Sequence, residues 1–154
     1  MKVKIVAIIA IVLLCVTVLI VKEDLWDLNA KLLKGKVLSI EQTAEVINLS
    51  DIIPFEWDVV YSFAAYTPKE QVYAVIGYKW ANISATVSEG MNQIVFLKDG
   101  KVVCYLYGYP ENNGYGIFFA GQYYNEFATM LNVEDNLDFK VTRRDGVLYL
   151  KHFK

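Results

Sequence analysis

MNQIVFLKDGKVVCYLYGY, residues 91–109, reads as a β-hairpin around which the rest of the chain is arranged. Two runs rich in β-branched and aromatic residues flank Asp99-Gly100, a dipeptide suited to a type I′ turn because both central positions need positive φ. A two-residue turn there sets Lys98 opposite Lys101, Phe96 opposite Val103 and Val95 opposite Cys104. Both faces of this pair are apolar. It is therefore expected at the centre of its sheet, with one face under a helix.

Downstream, DFKVTRRDGVLYLKHF, residues 138–153, repeats the pattern with a turn at Asp145-Gly146. Val141 and Leu150 share its buried face, while Lys140, Thr142, Tyr149 and Lys151 share the wet one. Between the hairpins, Tyr115 to Ala120 suits a strand, and Tyr123 to Leu131 suits a short strand or a helix. Upstream, WDVVYSFA, residues 57–64, has strand composition. A helix follows it, with Thr67 as N-cap, Pro68 at N1, Glu70 completing a capping box, and Val72, Val75 and Ile76 as its buried stripe. Gly77 is placed to end that helix in a left-handed conformation. Ser39-Ile40-Glu41-Gln42 also matches a capping box and predicts an earlier helix from Ser39. The order implies an α+β domain, with helices packed on one face of an antiparallel sheet.

Residues Ile5 to Val21 are 17 in number, carry no charge, and include Thr17 as their one hydroxyl. As a helix they would span about 25 Å, near the short limit for a bilayer. No small-residue cleavage pattern follows, and Leu14 before Cys15 does not suit lipoprotein processing. The organisation expected is a transmembrane signal anchor over 1–21, a juxtamembrane segment over 22–36 and a single α+β domain over 37–154. Lys2 and Lys4 directly before the apolar run favour a cytoplasmic N-terminus. The expected location is therefore the cell membrane, single-pass, with the C-terminal domain extracytoplasmic.

The chain has 15 basic and 17 acidic residues. Lys2 and Lys4 precede the apolar run, leaving 13 basic against 17 acidic beyond it. This balance argues against a nucleic-acid partner, which needs a basic surface. Cys104 is the only cysteine after the apolar run, so the domain has no internal disulfide and Cys104 reads as a small buried residue. His152 is the only histidine and has no metal-ligating companion, so no metal site is expected. Glu56 and Asp58 flank Trp57 as polar residues at a strand start. No glycine-rich phosphate loop and no G-x-S-x-G elbow occurs, and no cofactor is expected.

The unusual stretch is YLYGYPENNGYGIFF, residues 105–119. Tyrosine offers a large rigid surface with a hydrogen-bonding tip, a composition common at recognition surfaces. Tyr109 and Tyr115, at the edges of a polar loop holding Asn112 and Asn113, are the candidate binding residues.

The run WDVVYSFAAYTPKEQVYAVIG, followed by IVFLKDGKVVCYLYGYP, resembles an uncharacterised family of small bacterial lipoproteins and membrane-anchored proteins. The resemblance rests on Trp57, Asp58, Tyr66, Thr67, Gly77, Phe96, Lys98, Asp99 and Gly100, across residues 52–110. It implies a tethered surface domain and carries no activity. The function expected is a membrane-tethered, non-enzymatic, extracytoplasmic binding module for a protein or envelope partner. The alternative is an immunity or inhibitor protein acting at the cell surface.

Overall fold

A computed structural model describes residues 24–153. The expected anchor over residues 1–21 lies outside them. Among the described residues no helix is long and apolar enough to cross a membrane.

The first element is helix α1, Leu25–Leu38. Strand β1 (Val46–Asn48) and the single turn α2 (Leu49–Ile52) follow. Strand β2 (Val59–Phe63) leads into helix α3 (Lys69–Ile76). The first hairpin is β3 (Asn92–Lys98) and β4 (Lys101–Gly108), followed by the turn α4 (Pro110–Asn113) and β5 (Tyr115–Phe118). A short hairpin, β6 (Gln122–Asn125) and β7 (Ala128–Asn132), precedes β8 (Asp138–Arg144) and β9 (Val147–His152).

The mixed α+β class holds, but the strands form two sheets instead of one. A five-stranded antiparallel sheet has the order β4-β3-β2-β7-β6, and a four-stranded sheet the order β1-β8-β9-β5. In the second sheet β5 runs parallel to β9, a pairing between distant segments that no local pattern announces. The main core lies between the sheets. Val60, Ile94, Phe96 and Leu106 come from the larger sheet, and Ile117, Phe139, Val141 and Leu150 from the smaller. The opposite face of the larger sheet carries Tyr61, Phe63, Val95 and Leu97, covered by Val72, Val75 and Ile76 of α3. One helix therefore lies on one face of this sheet, and the other face meets a second sheet instead of solvent. This explains why the first hairpin is apolar on both sides.

Helix α1 takes a third position, along the edge at β4. Leu33 and Val37 are fully buried in the main core, while Trp26 packs with the second cluster beside Trp80. The segment from Leu25 onward is thus part of the folded body. Strand β4 is an edge strand, not a central one, and α1 blunts that edge. The Asn29 amide donates to the Val103 carbonyl at 2.8 Å.

That contact coincides with a departure from the expected register. Asp99 and Gly100 have φ of 49° and 70°, as a type I′ turn requires, and Lys98 faces Lys101. Beyond the next pair, however, the ladder shifts, so Phe96 faces Cys104 and Val95 faces Tyr105. Val103 is the extra residue of a β-bulge, and its carbonyl turns to Asn29. The second hairpin keeps the expected register, with Val141 opposite Leu150 and Lys140 opposite Lys151.

Ser39 ends α1 and opens no helix. Its amide bonds the Gly35 and Lys36 carbonyls, and its hydroxyl donates to Lys36 at 2.8 Å. The carbonyls of Ile40, Glu41 and Gln42 accept from the Arg143 guanidinium at 3.0, 2.8 and 3.3 Å. A serine hydroxyl can satisfy either end of a helix, and the distant Arg143 decides which. At α3, Gly77 closes the helix at φ 88° as expected. Thr67 does not cap it. Its hydroxyl donates to Ala64, and its amide meets Thr86 Oγ1.

Candidate functional site

In strands β8 and β9, burying Phe139, Val141, Leu148 and Leu150 turns Lys140, Thr142, Tyr149 and Lys151 to the opposite face, where Val147 is buried as well. Among the described residues α4 packs at the β5 and β9 end of that face, and Lys140 and Lys151 are exposed on it. Lys140 and Lys151 sit directly opposite each other, a like-charge cross-strand pair that is unfavourable in itself. Neither has an ion-pair partner among the described residues. The Arg144 guanidinium lies 5.9 Å from the centre of the Tyr149 ring. Tyr149 in turn stacks on Phe118 of β5, with ring centres 6.2 Å apart. Thr142, Arg143, Arg144, Tyr149 and Lys151 line a depression of about 270 Å³ on this surface.

The loop singled out in the sequence borders this face. A Cβ on Gly116 would meet Pro110 Cγ at 2.7 Å, so the glycine lets α4 lie close on β5. Gly116 is the parallel partner of Tyr149, whose hydroxyl donates to Glu111 Oε1 at 3.2 Å. The loop, the aromatic pair and the cations therefore form one continuous surface.

The four candidate residues part company on it. Asn112 is exposed. Tyr109 is half-buried and caps α4, its carbonyl accepting from the amides of Asn112 and Asn113. Asn113 is half-buried, and its side-chain amide donates to the Tyr107 carbonyl at 3.3 Å. Tyr115 is only 5% exposed and belongs to the main core, where desolvation pushes its phenol well up. The alternation that turns Gly116 and Phe118 outward turns Tyr115 inward, and β5 was too short for this to be read from sequence. Tyr105 and Tyr107 are also structural. The Tyr105 hydroxyl accepts from the Ser84 amide and the Gln93 side chain, both at 3.1 Å, and Tyr107 donates to Ala85 at 2.7 Å.

Phe118, Tyr149, Arg144, Lys140 and Lys151 adjoin the loop but were not among the candidate binding residues. Their signal was present in the hairpin register, because a two-residue turn at Asp145-Gly146 already sets Lys140 against Lys151.

The remaining reactive groups are engaged in structure. Cys104 is fully buried, and burial pushes its thiol far up, away from thiolate. Asp58 accepts from Lys98 Nζ at 2.6 Å and from the Asp99 amide at 2.7 Å, so it ties the first turn to β2. The Lys98 hydrogen bond, seconded by Asp99, holds its carboxyl below the usual range. His152 packs on Phe139 and donates from Nε2 to the Asn136 carbonyl at 2.8 Å. Among the described residues no group of three His, Cys, Asp or Glu side chains is placed to hold a metal ion.

No protein-family model, curated protein or solved structure matches the chain.

Proposed function

We propose that this protein is a membrane-tethered, extracytoplasmic, non-enzymatic binding module, and that its partner is anionic. The observation that carries this reading is the outer face of the four-stranded sheet, on which Lys140 and Lys151 are exposed. There Lys140 and Lys151 oppose each other with no ion-pair partner among the described residues, beside Tyr149, Phe118 and Arg144, whose Nε lies 3.7 Å from the Asp145 carboxylate. Placing two cations face to face costs stability. A partner bearing repeated carboxylates or phosphates recovers that cost, and the aromatic pair supplies adjoining contact area. The tether is supported by the 17 apolar residues from Ile5 to Val21. The non-enzymatic reading is supported by a thiol sealed in the core and a histidine committed to Asn136. An acidic excess over the whole domain favours a protein or envelope polymer over nucleic acid.

The test is titration of the full-length protein with polyglycerol phosphate and with polyglutamate at several salt concentrations. Binding is expected to weaken with salt, and Lys140→Glu with Lys151→Glu should lower affinity by about tenfold or more. Equal affinity of wild type and double variant for both polymers would refute the site. Orientation is tested separately by protease treatment of intact cells, which should degrade the domain.

A further inference from the structure

We infer that α1 lies on the bilayer surface through Leu25, Leu28 and Leu32, so that the folded body rests against the membrane and does not hang from a linker. The inference rests on the tethered reading above and adds to it a second, peripheral contact with lipid. In α1, Asn29, Leu33 and Val37 repeat every four residues and face the protein. Leu25, Leu28 and Leu32, at i, i+3 and i+7, form a separate stripe that the protein leaves 60%, 40% and 46% exposed. A helix that already has a buried side does not need a second row of leucines to fold. Three leucines in water are unfavourable unless something apolar covers them.

The chain preceding α1 says what covers them. Only Lys22, Glu23 and Asp24 separate Val21, the last residue of the apolar run, from Leu25. Even fully extended, those steps carry Leu25 no more than about 14 Å from the end of the run. The headgroup layer is itself roughly 5–8 Å deep on each side. A body tied so closely to a bilayer has its first helix at the lipid boundary. At 100° per residue, Lys31 and Lys36 border the stripe on its two sides. Lys31 is ion-paired with Asp27 at 2.9 Å, and a lysine placed as Lys36 is beside an apolar stripe lays its stem along lipid and holds its ammonium group among phosphates.

The test uses full-length protein in vesicles of phosphatidylethanolamine and phosphatidylglycerol, with Cys15→Ser as background and Cys104 sealed in the core. A nitroxide is placed by Leu28→Cys or Leu32→Cys, with Tyr123→Cys, a site 87% exposed on β6, as the reference. At residues 28 and 32, broadening by a water-soluble nickel chelate should be lost and broadening by oxygen retained. At residue 123 the chelate should remain effective. If the protein floats with the vesicles but all three labels meet the chelate equally, the tether stands and the lipid contact is refuted. Spin–spin broadening between copies at residue 28 also refutes it, by showing that a second chain covers the stripe. Protein left at the bottom of the flotation gradient refutes the tether and the contact together.

Discussion

Gly116 shows how one missing side chain shapes the outer face of the four-stranded sheet. It allows Pro110 to lie on β5 and brings Glu111 within reach of Tyr149. Gly116→Ala should overpack this contact and cost about 1–3 kcal/mol, read as a lower denaturation midpoint. An unchanged midpoint would mean that α4 can lift without penalty. Asp58 and Lys98 make a different kind of prediction. Because Lys98 and the Asp99 amide hold the Asp58 carboxyl below its ordinary value of 3.8, the native state favours the ionised form. The unfolded chain then binds the proton more readily, so stability from this group is fully present above that ordinary value. It is lost as pH falls through the lower native one. Lys98 is shifted upward by the same hydrogen bond, so its share is present at neutral pH and lost only on the alkaline side. Acid titration of stability should therefore be shallower in Asp58→Asn than in wild type below about pH 4. Parallel curves would show that the pair contributes nothing.

Elements differ in how far their own residues specify them. Both Asp-Gly turns, the glycine end of α3 and the wet face of β8 and β9 were legible, because each depends on residues a few positions apart. The β4 bulge was not, since it depends on α1. Val103 leaves the ladder where Asn29, 74 positions earlier, offers its carbonyl a donor. Ser39 was misread for the same reason, with Arg143 from β8 claiming the carbonyls that a helix would have used. Asn29→Leu should leave the Val103 carbonyl without that donor at a half-buried edge. The expected loss is about 1–3 kcal/mol, with faster amide hydrogen exchange along β4. If exchange along β4 is unaffected, α1 covers that edge through packing alone. Of the candidate site, the sequence pointed to the loop at residues 109–114 and not to Phe118, Arg144 and Tyr149 beside it. Tyrosine content is visible in a sequence, but which tyrosine faces solvent is set by strand parity. Parity buries Tyr115 and presents Tyr149.

Across the whole molecule, two sheets divide the work. The five-stranded sheet is packed on both faces and forms the scaffold, and the four-stranded sheet keeps Lys140 and Lys151 exposed on its outer face. Charge is divided as well. A chain of formal net charge −2 places Lys140, Arg144 and Lys151 on that outer face, with Asp145 paired to Arg144 and Glu111 bonded to Tyr149. Helix α1 connects this body to the apolar N-terminal run and seals the β4 edge. The most direct measurement is capture of fluorescent polyglycerol phosphate by vesicles bearing the full-length protein, followed by flotation. Wild-type vesicles should carry the polymer upward, and vesicles bearing Lys140→Glu with Lys151→Glu should float with equal protein and leave the polymer behind. Equal capture by the two, or none by either, would contradict the account.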